Sequence, residues 1–414
     1  MTMKLRNRLI ALVCLLFFLF IGAGLFLTTT NRKPFAVILF TADNISPSNL
    51  AAARLFAGGG DARLNIEDFP NTAVARNAAN DFSVPDKASA STAIMSGERV
   101  NRGSLCMNPA GAPLSSLLED ASVAGRATGL LTTGPLTGAG AAASYSKTQS
   151  YMDTNAIGAQ FMAHPAFDLV AGSGWEDLVA SQKNHSSTTN SYVVVKSITE
   201  LEKQPFWKKV PTLLSLAPSS LSQGEFGEGN NEAPSLSDLV RIAIRNLQSN
   251  SKGYLLVIDD PMVGSAAESN DAESMFRRLI AFDRAIATAR RYAGSNALIL
   301  VTGRENIGGL NLNGYPFLRD KGVSVLAMNN EGYPTVCWST GPGFAMEKSS
   351  GEKKTNNSGS SSPVGILTQP SGFKLPNAVG TAGDVLSAGS GPGSEKLHGF
   401  IDLKEIHRIV SEAL

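Results

Sequence analysis

The chain has 414 residues, with 36 Lys and Arg against 35 Asp and Glu, for a formal net charge of +1. That balance provides no electrostatic footprint for nucleic acid, and the length accommodates one large α/β domain or two ordinary ones. Forty glycines point to many turns and close backbone approaches.

Met1–Arg8 carries Lys4, Arg6 and Arg8, and Leu9–Leu27 follows without a charge, long enough to cross a bilayer. Ala23 and Gly24 are small, but Leu25–Leu27 continues the apolar run. An uncleaved anchor within about residues 1–30 is therefore favoured over a cleaved signal. The basic flank predicts a single-pass protein of the inner (cytoplasmic) membrane, with its body in the periplasm or outside the cell. Cys14 lies in the span; Cys106 and Cys337 either pair in an oxidising compartment or stay as separate thiols.

Phe35–Phe40, FAVILF, predicts a strand buried on both faces, hence a parallel sheet under helices. Asp43 follows at its C-terminal end, where open α/β sheets build their sites; it is either a site carboxylate or a turn cap. Ser46 and Pro47 then start a helix to about Ala57. Val84–Gly97, VPDKASASTAIMSG, is small and polar and predicts a helix starting at Asp86-Lys87, packed close on a neighbouring backbone. Its N-terminus either faces an anion or belongs to a buried Ala/Ser helix without chemistry. Gly129–Thr133, Tyr254–Ile258 and Ala297–Val301 predict further buried strands. Asp259 and Asp260 end the second of these as a cation site or as a turn, and a long helix follows near Ala272–Tyr292. Ser181–Pro234 is polar with apolar islands at Trp207 and Leu213–Leu216, which predicts a peripheral excursion outside the core. Met346–Val379, rich in Ser, Gly, Asn and Lys, predicts a long exposed loop.

Val84–Gly97 resembles, without a gap, the nucleophile segment of the alkaline phosphatase family, V-T-D-S-A-A-S-A-T-A followed by a helix and a Gly. Asp86, Ala88, Thr92, Ala93 and Gly97 match, and Lys87 falls on the serine that takes the phosphoryl group. Asp43 matches the metal-binding Asp of the family's D-G-M-G, with Asn44 for its first Gly. In the family's T-T-x-x-x-T-H-A-T, Thr137 and Ala139 match, Gly138 replaces the His or Asp, and Gly140 replaces the magnesium-binding Thr. No Arg lies between Ser146 and Asp153 to clamp a phosphate; Tyr151 is the nearest occupant. Phe167–Gly174 resembles the strand and Gly-rich turn that come next. Asp259 then stands for a magnesium-binding Glu, Gly264 for a zinc-binding Asp and Glu268 for a zinc-binding His. Thr302–Leu310, TGRENIGGL, resembles T-A-D-H-E-T-G-G-L, with Arg304 and Glu305 on the zinc-binding Asp and His. Gly380 falls on the last zinc-binding His, and Gly391–Leu414 resembles the closing strand and terminal helix.

This resemblance covers about residues 34–414 and implies a three-layer α/β/α domain with a mostly parallel sheet. The family's reaction uses zinc and magnesium to ionise the serine and clamp the transferring group. Here Asp43 alone is retained among the ligands, and none of His164, His185, His398 and His407 falls on a ligand position. No metal cofactor is expected. Lys87 and Arg304 are expected instead as fixed cations beside Asp43 and Asp259. The implied protein is a catalytically inactive pseudophosphatase that binds a small molecule or protein, or serves as a scaffold. Many family members are dimers, which makes a homodimer an expectation. The alternatives are an active phosphomonoester hydrolase with one metal at Asp43, Asp259 and Glu268, and a purely structural anchored protein.

Overall fold

The computed structural model describes residues 11–21, 35–181, 192–204, 210–217, 234–313, 326, 334–343 and 369–414. Its strands, in chain order, begin with β1 (Ala36–Ala42), β2 (Asn71–Arg76), β3 (Ala127–Pro135), β4 (Leu169–Ser173) and β5 (Val193–Val195). Then come β6 (Thr212–Leu216), β7 (Tyr254–Asp260), β8 (Ala297–Gly303), β9 (Asn306–Ile307) and β10 (Leu310–Leu312). The last are β11 (Val336–Gly341), β12 (Ser371–Lys374), β13 (Gly380–Thr381), β14 (Val385–Ser390) and β15 (His398–Asp402).

Ten of these strands form one sheet in the order β15-β2-β14-β8-β1-β7-β3-β4-β6-β5. β14 alone runs against its neighbours, β2 and β8; the other pairings are parallel. The continuous apolar run in β1 has the expected cause. Ile38 and Phe40 face a core under the helices Pro47–Gly58, Leu236–Leu247 and Ala272–Tyr292. Val37 and Leu39 face a second core under Lys87–Ser96, Leu117–Val123, Thr154–Ala163 and Glu405–Ala413. A strand covered on both sides has no polar face, so the alternation that marks a half-exposed strand disappears. The result is the three-layer α/β/α arrangement expected.

The expected excursion over Ser181–Pro234 needs correction. β5 and β6 lie within it and extend the central sheet at one edge, and Leu213 and Leu214 are fully buried, one in each core. A strand of five residues between polar segments is hidden by window-averaged composition, although its own apolar residues suffice to cover both faces. Within the expected Met346–Val379 loop, β12 pairs with β11 and Ala378 is buried, so its C-terminal part is ordered structure. Residues 344–368, Trp207 and His185 lie outside the described residues.

The N-terminal expectation rests largely on residues outside the description. Residues 11–21 are helical, and among the described residues no helix is long and apolar enough to cross a membrane. Cys14, Cys106 and Cys337 are all free thiols; Cys106 is buried, with its Sγ 3.1 Å from the Ala143 carbonyl oxygen.

Candidate functional site

The three central strands end together. In the register of the sheet Thr41 of β1 lies between Asp259 of β7 and Thr302 of β8, so Asp43, Asp259 and Arg304 leave the sheet at one end. The turn after β1 is held by Asn44, whose φ of 60° lies in the left-handed region that Asn tolerates better than most residues. Its Nδ2 donates to the Ile307 carbonyl at 2.8 Å, and its backbone N–H donates to the Glu305 carbonyl at 2.8 Å. Asn44 thus takes a backbone conformation that suits Gly, and its side chain also ties β1 to the segment after β8.

Arg304 is fully buried between two carboxylates. Its Nε donates to Asp43 Oδ1 at 2.8 Å, and its Nη1 donates to Asp259 Oδ1. The second oxygen of Asp259 accepts from Thr132 Oγ1 at 3.0 Å. Among the described residues Arg304 is the only donor to the Asp43 side chain; Asp43 Oδ2 and Arg304 Nη2 are buried without a protein partner. Burial works to lower the Arg304 pKa, but the charges of Asp259 and Asp43 outweigh it and raise the value. Burial pushes the Asp259 carboxyl up, and Arg304 opposes the shift. Asp260 turns aside from this pair. Its Oδ1 accepts from Thr133 Oγ1 at 2.6 Å and from the Met262 N–H at 3.1 Å, so it closes the turn after β7.

Lys87 opens the Lys87–Ser96 helix, whose residues from Ala88 to Met95 are all buried. Asp86 caps that helix through the Ser89 N–H at 2.8 Å, and its other oxygen accepts from the Gly103 N–H at 2.7 Å. The expectation that Lys87 neutralises the Asp43–Asp259 pair directly requires correction. Lys87 Nζ donates to Glu268 Oε1 at 2.5 Å, with side chains 24% and 35% exposed, at the outer margin of the centre. Burial acts to lower its pKa, yet Asp43, Glu268 and Glu305 together raise it. It therefore feels the Asp43 charge without bonding to it. One guanidinium with several fixed donors can reach two carboxylates at once, whereas an ammonium at the end of a flexible stem takes the nearest one.

Glu305 is 4% exposed. Burial and the negative charge of Asp43 push its carboxyl up to about 8, against the pull of Lys87 and Arg304. A Cβ at Gly380 would sit 2.7 Å from Glu305 Oε2, so the missing side chain at 380 is the space that Glu305 fills. Gly140 and Gly264 play the same part for the ion pair. A Cβ at Gly140 would overlap Arg304 Nη1 and Asp259 Oδ1, and one at Gly264 would overlap Asp43 Oδ2. Tyr151 borders the outer part of the site, where Asp86, Lys87, Glu305 and Glu268 all act on its hydroxyl. Among the remaining histidines, His164 is 3.5 Å from Glu119, His398 is exposed, and His407 packs beside Gly97.

These residues do not fit a zinc pair. Zinc sites of this kind need imidazole nitrogen and carboxylate oxygen in tetrahedral order, and among the described residues no His reaches the centre. Among the described residues no group of three or more His, Cys, Asp and Glu is arranged to hold a metal ion. The three carboxylates considered as a minimal metal site are spoken for, Asp43 and Asp259 by Arg304 and Glu268 by Lys87. Sequence reasoning passed over Thr132 and Asn44 as members of the centre, and Thr133 as the partner of Asp260 in the turn beside it. The visible signal was a pair of threonines closing an apolar strand, which a fully buried strand end has no use for unless something there accepts hydrogen bonds.

The fold and the convergence of strand ends define an alkaline-phosphatase-like α/β protein. The family model "Alkaline phosphatase" matches residues 35–414, and the chain belongs to that family. It is 22% identical over 441 residues to the human tissue-nonspecific alkaline phosphatase isozyme, covering 91% of this chain and 83% of that one. It is 25% identical over 245 residues to alkaline phosphatase 4 of Bacillus subtilis, covering 56% of this chain and 51% of that one. Among solved structures, alkaline phosphatase from the Antarctic bacterium TAB5 superposes with a TM-score of 0.69 at 19% identity, over 92% of this chain and 98% of that one. The Thermus thermophilus alkaline phosphatase gives a TM-score of 0.68 at 19% identity, over 93% and 92% of the two chains.

Proposed function

We propose that this protein is a metal-free, catalytically inactive member of the alkaline phosphatase family, held by its N-terminal segment at the outer face of the inner membrane and used for binding or scaffolding. The observation that carries this reading is Arg304, whose guanidinium bonds both Asp43 and Asp259 in a fully buried centre. A transferring phosphoryl group needs a nucleophile, a charge clamp and a stabilised leaving oxygen. The nucleophile position holds Lys87, whose raised pKa keeps it as an ammonium without a lone pair to attack with. Both cations of the centre are already matched by Asp43, Asp259 and Glu268, which leaves little positive potential for a phosphate.

The test combines metal analysis of the purified protein with hydrolysis of a simple aryl phosphate, with and without added zinc and magnesium. The expected result is no stoichiometric metal and no turnover above background. Metal-dependent turnover at ~1–10³ per second that disappears in Asp43→Ala would establish an active, remodelled hydrolase instead.

A further inference from the structure

Gly140 lies in the helix Ala139–Ala142 and Gly264 in the helix Met262–Glu268. Neither adopts a positive φ, so the backbone asks for glycine at neither place, and alanine is the better helix former. What both positions share is the object a methyl would strike. At Gly140 it is Arg304 Nη1 and Asp259 Oδ1; at Gly264 it is Asp43 Oδ2. The two glycines are thus cut to the outline of the ion pair. Asp43 and Asp259 accept from two different nitrogens of one planar group, an arrangement matched to the donor fork of a guanidinium.

We propose that Asp43, Asp259, Gly140 and Gly264 form a socket specific for a guanidinium cation, which in the native chain holds the side chain of Arg304. Emptied of that side chain, the socket takes up a free guanidinium ion in preference to an alkylammonium or a divalent metal. The claim that Arg304 is the resident cation rests on the metal-free reading above. The physical basis for selectivity is shape and donor direction. Charge alone does not discriminate, since an ammonium carries the same charge but cannot place donors along both carboxylates from one plane.

The experiment is thermal unfolding of Arg304→Ala in methylguanidinium chloride, methylammonium chloride and zinc chloride, each at constant ionic strength. A saturable rise in Tm is expected with methylguanidinium alone, because only a ligand of the folded state stabilises it. The same salt should not raise the Tm of the wild-type chain, whose socket is filled. Equal effects of the two organic cations, or a rise with zinc, would overturn the proposal. If Arg304→Ala does not fold unaided, the comparison is made on refolding yield; recovery with methylguanidinium and not methylammonium supports the socket, and no recovery with either refutes it. A second arm needs no ligand. Gly140→Ala should lower the Tm of the wild-type chain by crowding both Arg304 Nη1 and Asp259 Oδ1, and should lower it less in the Arg304→Ala background, where only the Asp259 contact remains, whereas equal effects in both backgrounds would count against the socket. Metal-dependent turnover by the wild-type chain would overturn the metal-free reading and with it Arg304 as resident cation. Absence of turnover with failed rescue would overturn the socket alone.

Discussion

At the scale of single residues, the residues at 140, 264 and 304 are matched to one another around Asp43 and Asp259. Arg304 is a bulky cation; Gly140 leaves out the atom that would collide with it and with Asp259, and Gly264 leaves out the one that would collide with Asp43. Removing the cation while keeping the carboxylates should be severe. Arg304→Met leaves Asp43 with no donor among the described residues, a change that typically costs ~3–5 kcal/mol when a buried pair is broken; denaturant unfolding measures it. Lys87→Ser, which restores the family's nucleophile, should by contrast produce no hydrolysis and cost about 1 kcal/mol or less. The Lys87–Glu268 pair is partly exposed, and such pairs contribute little. A loss as large as that of Arg304→Met would mean that Lys87 is the main partner of the buried carboxylates. Glu305 has a pH signature. Burial raises its carboxyl from 4.5 to about 8, so the folded chain keeps a proton that the unfolded chain releases. Its contribution to stability is complete below about pH 4.5 and is lost as pH rises through about 8. Glu305→Gln should flatten the unfolding free energy over that interval, and an unchanged slope would remove Glu305 as its source.

At the scale of elements, the Lys87–Ser96 helix is built of small residues and buried from Ala88 to Met95. Small residues let it pack against the helices Leu117–Val123, Ala139–Ala142 and Glu405–Ala413, with Ala88, Ser91 and Thr92 almost entirely buried. Its start is tied by Asp86 to Ser89 and to Gly103, and Cys106 N donates to Thr92 Oγ1 at 3.1 Å. The cap therefore orders the segment around Gly103 as well as the helix. Asp86→Ala should cost ~1–2 kcal/mol, while Asp86→Asn, which keeps an acceptor for one of the two N–H groups, should cost less. Equal losses for the two variants would show that the charge on Asp86, and not its hydrogen bonds, holds the helix start.

At the scale of the whole molecule, the metal-free reading proposed above leaves the ten-stranded sheet and its two cores to hold the fold without a metal. The fold is held by apolar burial on both faces of the sheet and by a self-contained ion pair at the strand ends. Chelator treatment should accordingly leave the Tm unchanged, and a fall of several degrees on chelation would reveal a structural metal. The charge-free Leu9–Leu27 run after a basic flank leads to an expected membrane-fraction location with the N-terminus retained. Recovery of soluble mature protein beginning beyond Leu25 would contradict it.

The sequence by itself determined the fold class and the charged residues of the centre, for a physical reason. Strands buried on both faces must be continuously apolar, so FAVILF, YLLVI and ALILV announce themselves, and the charged residues that end them must lie at one edge of a parallel sheet. Asp43, Asp259 and Arg304 were legible in that way. That the positions matching the family's Ser, zinc-binding His and clamping Arg hold other residues was legible only through the resemblance to the family's motifs. Only the tertiary structure decided which cation serves which carboxylate. Arg304 and Lys87 carry the same charge, and both lie near acidic residues; reach, planarity and burial assign the inner pair to one and the margin to the other. It also decided the meaning of the glycines. In the sequence Gly140, Gly264 and Gly380 are absences, because a missing side chain says nothing about what occupies its volume. In the fold each is the space taken by a neighbour contributed from more than 35 positions away along the chain. β5 and β6, at one side of the sheet, were hidden for a different reason: Leu213–Leu216 is visibly apolar, but so short a strand between polar segments draws its stability from the sheet it joins.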